Sequence, residues 1–152
     1  MASANHVGSL LPDSFGRFAI AKVENAAVSA TGNAVATLPI AFGGLTNSGN
    51  TSTSGAVIVR QITISNAQGT SPNTANVAIY TSNDGNASNI VTGNTVLSQL
   101  TSAIKYQDVT YTGTANTCIS AANTQAFFLC VNTAGGASST VNITIYGDVV
   151  KV

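Results

Sequence analysis

The stretch TVNITIYGDVV, residues Thr140–Val150, decides the fold class of this 152-residue chain. Its valine and isoleucine residues alternate with polar ones, a period of two that is typical of a strand with one buried face. An earlier stretch, NVAIY at Asn76–Tyr80, matches NITIY at Asn142–Tyr146. Each follows a turn rich in small residues, Ser65–Thr74 or Asn132–Ser139, and each turn follows another apolar run. The chain is therefore predicted to contain two similar strand–turn–strand units.

Outward from these units, short apolar or alternating runs separated by Gly-, Asn- and Ser-rich turns predict further strands and no helix of ordinary length. One run, Val96–Leu100, fits a helical turn as well as a strand. About eight strands follow an N-terminal pair, and their spacing is typical of a β-sandwich or barrel. The predicted strands are Arg17–Val28, Ala34–Ile40, Ala56–Ser65, Asn76–Ser82, Ser88–Val91, Val96–Leu100, Ile104–Tyr111, Thr117–Ser120, Gln125–Asn132 and the C-terminal stretch that ends at Val149–Val152.

The repeated units predict a jelly-roll-like antiparallel sandwich. If the eight strands from Ala56 onward are labelled B to I, the units are B–C and H–I. A jelly roll sets B beside I in one sheet and C beside H in the other, so each unit would cross between the sheets. In strand B, Arg60 is predicted to share a face with isoleucines. The predicted core comprises Ile58, Ile62, Ile64, Val77, Ile79, Phe127, Leu129, Val131, Val141, Ile143 and Ile145.

The chain divides into an arm and one domain. Residues 1–16 are predicted to be an extended N-terminal arm, and residues 17–152 a single β-sandwich domain. Within the domain, 17–40 is predicted to be an N-terminal hairpin and 56–152 to supply the core strands. The loop Phe42–Gly55 contains Gly43-Gly44, but no lysine and no helical pattern follow, so a surface loop is expected there rather than a phosphate cradle.

Composition excludes several classes of function. Charged residues make up only 7% of the chain, and five basic residues balance five acidic ones. A nucleic-acid interface needs a basic patch, and membrane-surface binding needs a basic amphipathic face, so neither partner is expected. No apolar run is long enough for a membrane-spanning helix, and no export signal is visible. A surface with so few charges is easier to explain if neighbouring subunits cover much of it.

Catalysis is not expected, and neither is a metal or a cofactor. The single histidine, His6, lies in the arm without a cluster of metal ligands around it. Nucleophilic catalysis needs a base beside the nucleophile, and paired-carboxylate chemistry needs two acids close together. The acids are scattered, and Asp84 lies in a turn signal, Asn83–Asn86, that resembles only half of a calcium loop. Cys118 and Cys130 are expected to be free thiols, with a disulfide as the alternative.

The N-terminal arm is the candidate partner-binding segment. It is either a disordered terminus or an extended segment whose apolar residues dock on a partner. The candidate partner-binding residues are Leu10, Leu11, Phe15 and Phe18.

An apolar-tipped arm, a charge-poor Thr-, Asn- and Gly-rich sandwich and the strand ending at Val141–Asp148 together resemble small jelly-roll decoration, or cement, proteins of tailed-bacteriophage capsids. The resemblance implies a homotrimer on the outer capsid surface that binds the major capsid protein and bridges neighbouring capsomers. It also implies a virion location after synthesis in the host cytoplasm. The resemblance carries no residue signature.

A carbohydrate- or receptor-binding sandwich, for example of a phage fibre or tail, is the alternative. Sugar sites favour exposed aromatic side chains, and the chain contains no tryptophan and four tyrosines. Tyr80 and Tyr146 occupy matching places in the two similar units, where they would form a paired feature or mark strand ends with their hydroxyls in water.

Overall fold

The computed structural model describes residues 18–40, 55–86, 90–112, 119–120 and 126–151. These residues form strands joined by turns, with a single-turn 3₁₀ helix at Pro72–Thr74. The strands are β1 (Phe18–Ala27), β2 (Gly32–Pro39), β3 (Gly55–Gln68), β4 (Asn76–Tyr80), β5 (Ile90–Val96), β6 (Tyr106–Val109), β7 (Ile119–Ser120), β8 (Ala126–Thr133) and β9 (Thr140–Lys151).

The strands form two antiparallel sheets packed as a sandwich, as the sequence predicts. The first sheet has the order β1-β9-β3-β6, with β7 also paired to β3, and the second has the order β2-β8-β4-β5. Both similar units cross between the sheets, because β3 leads into β4 and β8 leads into β9. The pairings β3–β9 and β4–β8 that the repeated units predict are therefore confirmed.

Six connections pass from one sheet to the other, and four of them run wholly through described residues: β1–β2, β3–β4, β5–β6 and β8–β9. Strand pairing places all four at one end of the sandwich, since Ala27 and Gln68 both pair with Thr140, Asn76 pairs with Val96, and Ser65 pairs with Tyr106. We call this the crossover end. The opposite end, called the open end, holds the start of β1 and the start of β3.

Two of the turns at the crossover end hold each other. Thr70 N–H donates to Ala137 O at 3.1 Å, and the buried Ser139 hydroxyl donates to Thr70 O at 2.7 Å. The approach is so close that a Cβ on Gly136 would lie 2.0 Å from Thr70 O. The turns of the two similar units are thus packed together, and Gly136 is needed for their contact.

The core lies between the sheets and confirms ten of the eleven predicted core residues, each with an exposed fraction of 1% or less. Alternation in β4, β8 and β9 sends every second side chain inward, which is the pattern that the sequence shows. Ile58 is the exception, because it is half-buried on the outward side of β3.

A β-bulge explains this exception. Val59 pairs with Gly147, but Gln61 pairs with Tyr146, so Arg60 is an extra residue in β3. The bulge reverses the alternation: Val57 and Val59 face the core before it, and Ile62 and Ile64 after it. The prediction that Arg60 shares a face with the core isoleucines is therefore wrong.

The predicted N-terminal hairpin, 17–40, is not formed. β1 pairs with β9 in the first sheet and β2 pairs with β8 in the second, and the two are joined directly only by a bridge between Ala21 and Ile40. The chain does turn just before the signal at Thr31-Gly32, between Ala27 and Gly32, but it turns there from one sheet to the other. Both strands therefore belong to the sandwich itself.

Candidate interaction surface

The structure does not test the arm. Leu10, Leu11 and Phe15 lie outside the described residues, as do His6 and Cys118. Phe18 opens β1 and pairs with Gly147, which places the exit of the arm at the open end of the first sheet.

The outer face of the first sheet carries most of the charge of the described chain. Arg60 Nε lies 2.8 Å from Asp148 Oδ2, and Lys22 Nζ lies 2.9 Å from Glu24 Oε1. The third acid of this face, Asp108, accepts a hydrogen bond from the Thr63 hydroxyl at 2.6 Å. Hydrogen bonding from Lys22, and then its charge, lowers the pKa of Glu24. The carboxylates of this face are thus each engaged with a different neighbour and do not converge.

The outer face of the second sheet has a small apolar cluster of its own. Ala78, Tyr80 and Cys130 are buried there, with Ile90 packed against them. The loop after β4 crosses this face, because Asn33 Nδ2 donates to Asp84 O at 3.3 Å and the Cys130 thiol points to Asn33 Oδ1 at 3.9 Å.

This cluster tests the predictions made for Cys130 and for the pair Tyr80 and Tyr146. Cys130 is a free thiol, as expected, and burial raises its pKa. Tyr80 is buried on the second sheet, whereas Tyr146 is half-buried on the first. The matching tyrosines therefore lie on opposite outer faces and form no paired feature.

The exposed large apolar side chains of the described residues all lie in one segment, residues 96–106, which we call the β5–β6 corner. Val96 is 49% exposed, Tyr106 63% and Ile104 90%. The corner connects the two sheets at the crossover end. Large apolar side chains exposed together in one segment are a feature of interaction sites.

Buried neighbours fix the backbone of the corner. Leu97 and Leu100 are fully buried, and Leu97 N–H donates to Ala75 O at 2.9 Å. The buried Gln107 side chain spans the corner: its Nε2 donates to Val96 O at 2.9 Å and its Oε1 accepts Gln99 N–H at 3.1 Å. The corner thus presents Ile104 and Tyr106 from a fixed backbone, which lowers the entropy cost of binding.

The corner also ends in an open strand edge. β6 pairs with β3 on one side, and within the described ranges no strand pairs with its other side. Lys105 lies exposed between Ile104 and Tyr106 and has no ion pair among the residues described. An apolar pair around a single positive charge, beside unpaired backbone groups, has the chemistry of a peptide- or protein-binding edge.

Sequence reasoning missed this corner. It placed Ile104, Tyr106 and Asp108 on one face of a strand, and the structure confirms that these residues face outward. The sequence does contain a signal for it: this face combines two large apolar residues with an acid, whereas Val109 on the opposite face is buried in the core.

The described part of the chain contains no cluster of three or more potential metal ligands. Among the same residues, none of the helical structure is long and apolar enough to span a bilayer. No family model, curated protein or solved structure matches the chain.

Proposed function

We propose that the protein is a structural virion component, a decoration or cement protein that binds the outer capsid surface of a tailed bacteriophage. The observation that carries the proposal is the β5–β6 corner, which holds Ile104 and Tyr106 exposed on a fixed backbone. Covering a side chain of this size contributes about 1.5–3 kcal/mol, and buried tyrosines are frequent hot spots of protein interfaces. The corner is therefore suited to contact with another protein subunit.

The strand order supports a jelly roll, the fold that the resemblance implies. In a jelly roll with strands B to I, the sheets run B-I-D-G and C-H-E-F. The observed orders match if β1 and β2 are B and C, β8 and β9 are H and I, and β7 is an addition. The labels therefore begin one strand pair earlier than the sequence indicates, because β1 and β2 belong to the sandwich.

The proposed partners are the major capsid protein and further copies of this chain, in a homotrimer on the capsid surface. Each trimer would bridge neighbouring capsomers, and several weak contacts would hold together through avidity. Interfaces of standard size bury about 1,200–2,000 Å², so an exposed corner supplies part of such a contact and not all of it.

Co-sedimentation with capsids of the encoding virus, stripped of surface proteins, tests this function. The wild-type chain should sediment with the capsids, and Ile104→Asp should lower the bound fraction at least tenfold. Thr37→Asp, on the exposed outer side of β2, is the matched control and should bind normally. Wild-type protein that stays in the supernatant would contradict the proposal.

A carbohydrate-binding module is the second candidate, and one observation favours it. Tyr106 is 63% exposed on the same side of β6 as Asp108, which is hydrogen-bonded to Thr63 and through it to Gln61. An aromatic face beside carboxylate, hydroxyl and amide groups suits a sugar ring. Consistent binding on a glycan array that is lost in Tyr106→Ala would favour this function over the structural one.

A further inference from the structure

The β5–β6 corner and the N-terminal arm have complementary sequences. In the arm, Asp13 lies between the leucines at 10 and 11 and Phe15. At the corner, Lys105 lies between Ile104 and Tyr106. Both are short segments with one charge flanked by large apolar side chains, and the two charges are opposite.

We propose that Leu10–Phe15 of one copy docks on the β5–β6 corner of a second copy, with Asp13 facing Lys105. This inference rests on the proposed function and names the occupant of the surface that the function invokes. Extended chain added to the open side of β6 would satisfy its unpaired backbone groups, and the apolar arm residues would cover Ile104 and Tyr106.

Strand geometry disfavours docking of the arm on its own corner. Phe18 pairs with Gly147, and Tyr106 is aligned through Ser65 with Asn142, five residues away along β9. Five residues of strand and three strand spacings put Phe18 about 22 Å from Tyr106. Phe15 lies three residues before Phe18, and three extended residues span at most about 11 Å, so Phe15 cannot reach its own corner.

The straight path from the start of β1 to the β5–β6 corner also crosses a polar surface that does not suit apolar arm residues. From Phe18 to Tyr106 it runs over the outer face of the first sheet, where Thr63 is engaged in hydrogen bonds with Gln61 and Asp108. Apolar arm residues laid there would bury polar groups without providing hydrogen bonds to them, which costs free energy. A second copy brings its arm to the corner without this path.

The contact joins two different surfaces, so it is heterologous, and a heterologous contact builds a ring if its rotation closes. Three copies would give the trimer proposed above. Loss of the arm would then weaken capsid binding through loss of avidity, even if the arm never touched the capsid.

Engineered disulfides test the docking. In a Cys118→Ser background, one copy carries Leu11→Cys and a second, of different mass, carries Ile104→Cys. Mixed under mild oxidation, they should form a disulfide between copies at least tenfold faster than when the second cysteine is Thr37→Cys on the other outer face. Equal rates for the two partners would overturn the proposal. So would a chain carrying both cysteines, Leu11→Cys and Ile104→Cys, that closes its disulfide within a single copy.

Exchange of the charges gives an independent measurement by light scattering. The wild-type mass should be three times 15.2 kDa. Asp13→Lys or Lys105→Asp alone should weaken association about two- to fivefold per contact, and the two together should restore it. A monomeric wild-type chain that still binds capsids overturns this inference, and the proposed trimer with it, but leaves the proposed capsid binding standing. A trimer that does not bind capsids overturns the proposed capsid binding and leaves this inference standing.

Discussion

The backbone N–H of Asn25 in β1 donates to the side-chain oxygen of Asn142 in β9, at 2.9 Å across the first sheet. Asn25 has a left-handed φ of 54° within a bulge of β1, and on the other side of β9 Asn66 has a φ of 51° within a bulge of β3. Asparagine tolerates this conformation better than most residues. Both bulges bring the following alanine, Ala26 or Ala67, into the core.

Removal of the Asn142 amide should weaken this junction. Asn142→Ala leaves the Asn25 N–H without its acceptor, so the free energy of unfolding should fall by about 0.5–1.5 kcal/mol in a urea titration. Thr144→Ala, a truncation on the same outer side of β9, reports the cost of losing a half-buried side chain. Equal losses in the two variants would show that the hydrogen bond contributes nothing.

The interlocked turns predict a strong difference between two glycines. A Cβ on Gly136 would lie 2.0 Å from Thr70 O, so Gly136→Ala should destabilise the fold by about 2–3 kcal/mol. Gly93→Ala is the control, because a Cβ there meets nothing within 4 Å. Thermal unfolding compares the two, and similar melting temperatures would contradict the close packing of the turns.

Gln107 should contribute more to the stability of the fold than any exposed glutamine does. Gln107→Leu removes the bonds to Val96 O and Gln99 N–H, which should cost about 2 kcal/mol of unfolding free energy. Hydrogen exchange at the Gln99 amide should also quicken, because its acceptor is lost. Gln99→Leu changes an exposed side chain and should leave both measurements near wild type. Unchanged exchange in Gln107→Leu would mean that other contacts fix the corner.

Acid should weaken the loop that covers the second sheet. The Ser82 hydroxyl, and then the Asn86 N–H, lower the pKa of Asp84 below its ordinary value of 3.8. A carboxyl with a lowered folded-state pKa contributes stability above its ordinary value, and this contribution is lost as the pH falls through the folded-state value. Asp84→Asn should therefore flatten the decline of stability on acidification, and Ser82→Ala should flatten it in part. A decline as steep as that of wild type in Asp84→Asn would contradict this assignment.

Alternation alone predicted the fold class and nearly all of the core, because β4, β8 and β9 keep an uninterrupted period of two. It failed at Ile58, since a one-residue bulge at Arg60 leaves no mark in the pattern of apolar residues. It also paired β1 with β2, because a turn signal between two apolar runs does not say whether the chain turns within a sheet or between sheets.

The candidate site was harder to predict for a different reason. The arm was predicted to bind a partner because its leucines follow a stretch of small and polar residues. Ile104, by contrast, fits the alternating pattern of an ordinary strand. Its exposure depends on Leu97, Leu100 and Gln107, which fix the corner from below, and that arrangement exists only in three dimensions.

The pairing of β1 with β9 joins the first described strand to the last. A ribosome must release β9 before Phe18–Ala27 can pair with it, and until then β3 also lacks its β9 neighbour. Contacts so distant in sequence are formed slowly, so newly made chains would expose β1 and β3 edges for longer than a protein of local hairpins would. The low charge of the chain gives little protection against association during that interval.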